Sequence, residues 1–246
     1  MVNKFSLSLG NFLFKNAYPI YNIVYPIFKR KQDKLEIDFL TKTIKPGMVV
    51  LDIGANIGFY TEIVSKLVGS TGKIHAFEPD SLNFQRLQKK LLGCSNVNLV
   101  QKAVSINSEN LKIYTSKVLN VDHRTYEVED YDEVIEIPAV SIDEYLGENQ
   151  HVDFIKMDIQ GAEYFALKGM KSTILSNPNI IILMEFWPFG LGLAKSSARS
   201  LLGLIQEYGL KMFLFTEDGM TPLNTENIHL YENKPYEYYE NIIIKK

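Results

Sequence analysis

The stretch VVLDIGANIGFYTE, residues 49–62, decides the fold. An apolar run ends at Asp52, a turn with two glycines and an asparagine follows, and a helical pattern begins within a few residues. An open α/β sheet binds its ligand outside the carboxyl ends of its strands, near the point where the strand order reverses. We therefore interpret these residues as a first strand, a ligand-binding turn and the start of a helix.

The chain after Pro46 alternates short apolar runs with segments of helical periodicity. This pattern predicts an α/β fold with a doubly wound, mostly parallel sheet and helices on both faces. Because strands buried on both faces need no polar alternation, a continuous run such as IIILM at 180–184 is expected. The predicted core strands are residues 49–53, 74–77, 97–103, 154–158, 180–185 and 212–215.

Two segments add β-structure to this core. Residues 111–140 contain LKIYT and VIEIPAV on either side of a polar, acidic section, which predicts an inserted β-hairpin or loop between the third and fourth core strands. Near the C-terminus, Asp218 and Gly219 lie between extended runs, which is a hairpin signal. The run ENIIIKK then predicts a last strand.

The N-terminal region is apolar and aromatic over residues 16–28, and the basic residues 29–31 follow it. A membrane-spanning helix needs about 20 apolar residues, whereas this run is shorter and contains Pro19 and Pro26. We therefore predict no transmembrane segment. A segment that packs over the domain is the favoured interpretation, and a substrate lid, a contact in a homo-oligomer and a membrane-surface patch are the alternatives.

Length and composition fit one domain with an N-terminal extension. The chain has 246 residues, of which 46% are hydrophobic, and we assign residues 1–45 to the extension and residues 46–246 to the domain. A net charge of −3 argues against a nucleic-acid partner, since nucleic-acid-binding proteins usually carry a basic excess. The lone Cys94 excludes an intramolecular disulfide and fits the cytoplasm, as does the lack of a secretory-type cleavage site.

The turn after Asp52 fits neither common phosphate-binding motif. Counted from Gly54, the second and third glycine positions of the dinucleotide fingerprint hold Asn56 and Phe59, and no Gly-Lys-Ser/Thr follows. An acid at this strand end suits a cationic ligand, and Glu78 has the spacing at which an acid bonds ribose hydroxyls. A ligand with a ribose, cationic groups and no phosphate is S-adenosylmethionine. An NAD-dependent oxidoreductase is the alternative.

Five segments in this order resemble the FkbM-type S-adenosylmethionine-dependent methyltransferases: VVLDIGANIGFYT, IHAFEPD, NLVQKAVS, VSIDEYL and VDFIKMDIQGAE. The resemblance covers about residues 46–190. It implies the seven-stranded class I methyltransferase fold and O-methylation of a hydroxyl on a small molecule or a sugar.

The resemblance also implies cofactor-binding residues. The first helical turn contains Tyr60 and Thr61, where backbone N–H groups can receive the ligand carboxylate, although core packing and helix capping are the alternatives for both residues. The other implied contacts are Asp52, Gly54, Ala55, Asn56 and Gly58 for the methionine part, Glu78 and Pro79 for the ribose, Ala103 and Val104 for the adenine, and Asp158.

A hydroxyl acceptor must lose its proton, which requires a base or a metal ion. Asp158 ends the fourth strand, Glu163 follows in the first helical turn, and His123 lies in the inserted polar section; these are the candidate bases. Gln160 as N-cap with Glu163 in a capping-box arrangement is the structural alternative. Gln160 also stands where the family pattern D-x-E-G-x-E has an acid, which gives some weight to a catalytically idle cofactor-binding protein.

Two further features concern the acceptor end. Asp158 and Glu185 terminate neighbouring strands and could supply oxygen ligands to Mg²⁺, but we favour metal-independent catalysis. Trp187 and Phe189, next to the strand end at Glu185, predict either a wall for the acceptor or simple closure of the core.

Overall fold

The computed structural model describes residues 10, 12–116, 131–147 and 150–246. His123, one of the candidate bases, lies outside the described residues. The described chain folds into an α/β sandwich with one large sheet and one small sheet. The strands are β1 Val49–Ile53, β2 Lys73–Phe77, β3 Val97–Val100, β4 Ala103–Val104, β5 Asn110–Ser116, β6 Tyr131–Val140, β7 Phe154–Met157, β8 Ile181–Phe186, β9 Lys211–Thr216, β10 Gly219–Leu223 and β11 Glu240–Lys245.

The helices lie before, between and after these strands. They are α1 Tyr18–Gln32, α2 Lys34–Thr43, α3 Phe59–Val68, α4 Ser81–Lys90, α5 Ile142–Leu146, α6 Glu163–Lys168, α7 Lys171–Ser176, α8 Pro188–Leu193, α9 Ala198–Glu207 and a 3₁₀ helix Ile228–Leu230.

The large sheet has the order β10-β9-β11-β8-β7-β1-β2-β3. From β3 to β8 neighbouring strands are parallel, whereas β11 is antiparallel to both β8 and β9. The strand order reverses between β1 and β7, because β2 and β3 continue on one side of β1 and β7 lies on the other. Ligands of doubly wound sheets bind at such a reversal. The carboxyl ends of β1 and β7 therefore define where a site is expected.

The described part of the large sheet contains eight strands, one more than the seven that the resemblance implies. The additional strand is β10, which pairs antiparallel with β9 from Gly219 opposite Thr216 to Leu223 opposite Met212. The chain turns at Glu217 and Asp218, one residue earlier than the Asp218-Gly219 pair suggested, and Gly219 begins β10 with a φ of 114° that favours glycine. The predicted C-terminal hairpin is thus present.

The predicted insertion between the third and fourth core strands is a separate three-stranded sheet. Its order is β4-β6-β5, with β5 antiparallel to β6 and the two-residue β4 parallel to β6. The third core strand ends at Val100, earlier than predicted, and Ala103 belongs to this small sheet.

Both faces of the large sheet are covered by helices, as the continuous apolar strands predict. Leu51 and Ile53 pack with residues of α6 and α9 in one apolar cluster, and Val50 packs with residues of α2, α3 and α4 in another. Burial on both sides holds the strand ends in fixed positions.

The N-terminal region is helical, and it packs on the domain through aromatic side chains. Tyr21 of α1 clusters with Phe14 and with Ile57 of the turn after β1. Arg86 of α4 lies against the Phe14 ring, 3.5 Å from its centroid, and donates a 2.8 Å hydrogen bond to the Phe14 carbonyl. Among the described residues, no helix is long and apolar enough to cross a membrane.

Candidate active site at the strand-order reversal

The turn after β1 and the turn after β7 touch each other through their backbones. Gly54 has a φ of 83°, and a Cβ at this position would lie 2.0 Å from the Asp158 carbonyl oxygen. Its N–H donates to the Phe77 carbonyl at 3.0 Å. The sequence suggested a glycine that lets a ligand approach, whereas here the close neighbour of Gly54 is the loop that carries Asp158. Only glycine combines this φ with this contact.

Glu78 ties the β1 turn to the end of β2. Its Oε2 accepts the Asn56 N–H at 2.8 Å, and its Oε1 accepts the Asp80 N–H at 2.9 Å. Burial raises the pKa of Glu78 to about 7, although the two backbone N–H groups oppose this shift. Each carboxylate oxygen can accept more than one hydrogen bond. The side chain can therefore organise the turn and still accept hydrogen bonds from ribose hydroxyls.

Asp52 is buried at the end of β1, with 1% of its surface exposed. Its Oδ2 accepts the Thr61 hydroxyl at 2.6 Å, while its buried Oδ1 has no hydrogen-bond partner in the described part of the chain. Burial raises the pKa of Asp52, and nearby Lys156 opposes this shift. A buried oxygen without a donor is costly, so Asp52 is suited to a ligand that brings a hydrogen-bond donor.

The first turn of α3 has different roles for its two predicted residues. The Thr61 side chain is fully buried and serves Asp52, in agreement with the structural alternative for this residue. The Tyr60 hydroxyl donates to the Asp33 carboxylate, which joins α3 to the turn between α1 and α2. Gly58, with a φ of 83°, is the N-cap residue, and no described side chain caps the helix. Free N–H groups in this turn suit a carboxylate ligand.

The segment that the resemblance assigns to the adenine lies close to Glu78 along the sheet edge. The Glu78 N–H donates to the Val100 carbonyl at 3.1 Å, and Ala103 and Val104 follow three and four residues later. Both are buried, and they pair with Ala139 and Val140 of β6. Pro79, the other predicted neighbour of the nucleoside, is half-buried.

Gln160 lies between the two acids at the ends of β7 and β8. Its Nε2 donates to Asp158 Oδ1 at 3.1 Å and to Glu185 Oε2 at 3.0 Å. The predicted N-cap role of Gln160 is wrong: the N-cap residue of α6 is Ala162, and Gln160 has a φ of 55° within the preceding turn. An amide thus joins two carboxyl groups where the family pattern has a third acid.

The pKa values of the neighbouring acids Asp158 and Glu185 are shifted in opposite directions. Burial acts to raise the pKa of Asp158, but the Lys156 and Lys29 cations and the Gln160 amide outweigh it and hold the pKa below its usual value. For Glu185, burial and the negative charge of Asp158 raise the pKa well above its usual value. Two neighbouring carboxyl groups are rarely both ionised, because their negative charges repel each other. The two shifts therefore favour the ionised form of Asp158 and the neutral form of Glu185.

Glu163 is 1% exposed, and its Oε1 accepts the Ile159 N–H at 3.2 Å. Burial raises its pKa to about 7, against the effect of backbone N–H groups that include those of Gly161 and Ile159. This side chain is directed into the β7–α6 turn. The predicted capping box with Gln160 is absent, since Glu163 accepts from Ile159 instead, and this contact shapes the turn that presents Asp158.

Three charged residues near Asp158 were not predicted from the sequence: Lys156 of β7, Lys29 of α1 and Asp33 after α1. Lys156 is 7% exposed, and its Nζ lies 3.5 Å from Asp158 Oδ2 and 4.8 Å from the centroid of the Tyr60 ring. Lys29 pairs with the buried Asp33 at 2.7 Å. A lysine inside the apolar run FIKM was a signal, because lysine is almost never buried without a partner. Lys29 and Asp33 had no such signal.

The described residues contain no group of three or more His, Cys, Asp or Glu side chains that could hold a metal ion. Between Asp158 and Glu185 stands the Gln160 amide, which donates to both. Since Mg²⁺ is bound by oxygen ligands, an ion held by these two acids would have to displace the Gln160 amide from between them.

Trp187 begins the segment after β8, and it closes the core more than it lines an open wall. It is 5% exposed, its Nε1 donates to the Tyr236 carbonyl at 2.8 Å, and its ring contacts Phe189 and Tyr236. A Cβ on Gly190 would lie 1.9 Å from the indole ring. Of the two aromatic residues, only Phe189 is exposed, at 39%.

Comparison with known sequences identifies related methyltransferases. The family described as "Methyltransferase FkbM domain" matches residues 52–212. Protein-L-isoaspartate O-methyltransferase from Methanothermobacter thermautotrophicus is 30% identical over 59 residues, 23% of this chain and 27% of that protein. Ribosomal RNA large subunit methyltransferase E from Wigglesworthia glossinidia brevipalpis is 46% identical over 48 residues, 20% of this chain and 24% of that protein. The chain thus aligns with about a quarter of the length of these two relatives.

Comparison with solved structures agrees on the fold. A protein from Clostridium thermocellum assigned as an rRNA methylase matches with a TM-score of 0.52 and 14% identity, over 86% of this chain and 93% of that one. A protein from Streptococcus mutans assigned as a methyltransferase, solved in complex with SAH, matches with a TM-score of 0.51 and 14% identity, over 87% and 96% of the two chains. These similarities concern the class I methyltransferase fold. Since the family match spans well over half of the sequence, the chain belongs to the FkbM family of methyltransferases.

Proposed function

We propose that the protein transfers a methyl group from S-adenosylmethionine to a hydroxyl oxygen of a small molecule or a sugar. The single observation that carries this proposal is the Asp158 carboxylate at the strand-order reversal, which is 38% exposed and is held by Lys156 at 3.5 Å and by the Gln160 amide at 3.1 Å. An ionised carboxylate at the acceptor end can take a hydroxyl proton. Family membership replaces the earlier alternative of an NAD-dependent oxidoreductase.

The cofactor would be held by the turns after β1 and β2. Asp52 would receive the ammonium group on its unpartnered Oδ1, the first turn of α3 would receive the carboxylate, and Glu78 would accept ribose hydroxyls. The adenine would lie against Ala103 and Val104. When bound, S-adenosylmethionine supplies a methyl group already activated by its sulfonium.

The remaining task of the protein is to align the acceptor and accept one proton. Asp158 is suited to both, because its side chain is 38% exposed while Lys156 and Gln160 fix its orientation. Glu185, whose pKa is raised well above its usual value by burial and by Asp158, would in its neutral form offer a hydrogen-bond donor to an acceptor oxygen. Catalysis of this kind uses no metal ion. His123 stays a candidate base, because it lies outside the described residues and none of these contacts involves it.

A small acceptor is proposed over RNA, even though some relatives methylate ribosomal RNA by name. The chain carries a net charge of −3, whereas RNA-binding surfaces need a basic excess to displace counterions. The cytoplasm is the proposed location, because the lone Cys94 has no disulfide partner.

A methyl-transfer assay tests this proposal. The purified protein is incubated with S-adenosylmethionine and a panel of free sugars, nucleotide-linked sugars, phenols and aliphatic alcohols, and S-adenosylhomocysteine release and product mass are measured. The proposal predicts a mass gain of one methyl group on at least one hydroxyl acceptor. Binding of the cofactor with no transfer to any member of the panel would instead support the catalytically idle protein. Transfer only to RNA would contradict the small-molecule assignment.

A further inference from the structure

The outward face of α1 is aliphatic and exposed to solvent, and it forms a continuous stripe. Its residues recur at the spacing of one helix face, and each is 46% to 69% exposed. We call them the α1 stripe: Ile20, Ile23, Val24, Ile27 and Phe28.

The inward face of the same helix carries the more polar aromatic residues. Tyr18 and Tyr21 lie within 6.0 Å of the Phe14 ring, and Tyr25 contacts the Phe59 ring at the start of α3. A surface helix that faced only water would bury its aliphatic residues and expose its hydroxyls. Here the arrangement is reversed, so the α1 stripe is suited to an apolar medium. Contiguous exposed apolar patches of this kind mark interaction sites.

The charge of the region indicates which medium this is. Residues 1–32 contain five basic residues and no acid, whereas residues 33–246 contain 21 basic and 29 acidic residues. Around the stripe, Lys15, Arg30, Lys31 and Lys34 are exposed. A second copy of the chain docked through α1 would bring two such basic regions together. An anionic surface would be attracted by them.

We propose that α1 docks the protein on the surface of a bilayer containing anionic phospholipid. The α1 stripe lies at the level of the acyl chains, and the surrounding basic side chains contact the headgroups. A helix that lies in the membrane interface does not need the length of a membrane-spanning helix. The 15 residues of α1, with Pro26 among them, are therefore compatible with this position. This docking is independent of which molecule accepts the methyl group.

Docking would also set the position of the active site relative to the bilayer. Lys29 in the last turn of α1 pairs with Asp33, which accepts the Tyr60 hydroxyl. The Tyr60 ring lies 4.8 Å from Lys156 Nζ, which is 3.5 Å from Asp158 Oδ2. The helix that lies on the bilayer therefore belongs to the wall of the acceptor end. An acceptor embedded in or attached to the lipid would reach Asp158 from that side.

Vesicle flotation tests the proposal with the full chain. Two vesicle types are compared: phosphatidylcholine alone, and phosphatidylcholine mixed with phosphatidylglycerol. The wild type is expected to float with the mixed vesicles and to stay at the bottom with pure phosphatidylcholine, and high salt should release it. Equal flotation with both vesicle types, or none with either, would overturn the proposal.

Two matched double variants separate docking from general stickiness. Ile23→Ser with Ile27→Ser removes two stripe residues that are 68% and 69% exposed, and it should weaken vesicle binding by about tenfold or more. Leu175→Ser with Leu230→Ser removes two leucines outside the stripe that are 53% and 59% exposed, and it should bind like the wild type. Unchanged melting temperatures establish that both variants are folded. Equal binding by the two variants would refute the role of the stripe.

Light scattering on the same samples tests the alternative that the α1 stripe binds a second copy of the chain. The proposal predicts the same mass in solution for the wild type and the Ile23→Ser, Ile27→Ser variant. If the wild type is a dimer that binds no vesicles, and this variant is a monomer, membrane docking is overturned. The α1 stripe would then contact a second copy of the chain.

Discussion

Asp158 shows how a single carboxylate can be kept charged in a partly closed site. Burial opposes its ionisation, but Lys156 lies 3.5 Å away, Lys29 adds a second positive charge, and Gln160 donates to the same side chain. For Glu185, burial and the negative charge of Asp158 outweigh the same two lysines and raise the pKa instead. The site thus separates a base from an acid by environment alone.

Asp158→Asn tests this division of roles. The substitution keeps the shape of the side chain but removes the charge, so kcat should fall by about 10²–10⁴-fold. Affinity for S-adenosylhomocysteine should change by only a few-fold, and Glu185→Gln, at a carboxyl whose raised pKa favours the neutral form, should keep most of the activity. These values come from steady-state kinetics and calorimetry. An Asp158→Asn enzyme with wild-type kcat would show that another group is the base.

Gly54 is the residue at which the two active-site turns depend on each other. Gly54→Ala should lower the free energy of unfolding by about 2–4 kcal/mol, because a Cβ would lie 2.0 Å from the Asp158 carbonyl oxygen. The control is Gly209→Ala, at a φ of 73° with no atom within 4 Å of its Cβ. It should cost about 1 kcal/mol, from backbone strain alone. Denaturant titration measures both, and equal losses would contradict the close contact.

At the scale of the elements, the β7–α6 turn is held by a buried acid. Glu163 accepts the Ile159 N–H. Position 161 requires glycine, because a Cβ there would lie 2.5 Å from the Gly190 carbonyl oxygen of α8. The turn is therefore held by Glu163 and by the close packing against α8, and these contacts keep Asp158 at its start in a defined position.

This arrangement gives stability a dependence on pH. Burial raises the pKa of Glu163 from 4.5 to about 7, so the folded state binds the proton more tightly than the unfolded chain. Its contribution is fully present below about pH 4.5 and is lost as the pH rises through about 7, up to about 3 kcal/mol. Glu163→Gln should flatten the fall in melting temperature across this range. Glu217→Gln, at an exposed position, should not; an unchanged slope in Glu163→Gln would refute the assignment.

The elements also show what a sequence can predict. Continuous apolar runs located the buried strands, and the Asp218-Gly219 pair located the C-terminal hairpin. The role of Gln160 was not predictable, because its partner Glu185 is 25 residues away in sequence and meets it only through strand pairing. The same holds for Asp33, whose contact with Tyr60 joins residues 27 apart. Local patterns predict elements, whereas these contacts depend on tertiary structure.

At the scale of the whole molecule, strand order and charge distribution act together. The order reverses between β1 and β7, which places the Asp52 and Asp158 ends side by side. The acids of the chain all lie at residue 33 or beyond, so the N-terminal region is basic while the rest is acidic. One part of the molecule can therefore bind a cationic nucleoside while another is attracted to an anionic surface.

The central claim is that the crevice at this reversal binds a nucleoside with cationic groups and not a dinucleotide. Calorimetric titration of the full chain with S-adenosylhomocysteine and, separately, with NAD measures this directly. We expect saturable heat with one S-adenosylhomocysteine per chain, no heat with NAD, and about tenfold weaker binding in Asp52→Asn. Saturable binding of NAD with none of S-adenosylhomocysteine would contradict the account.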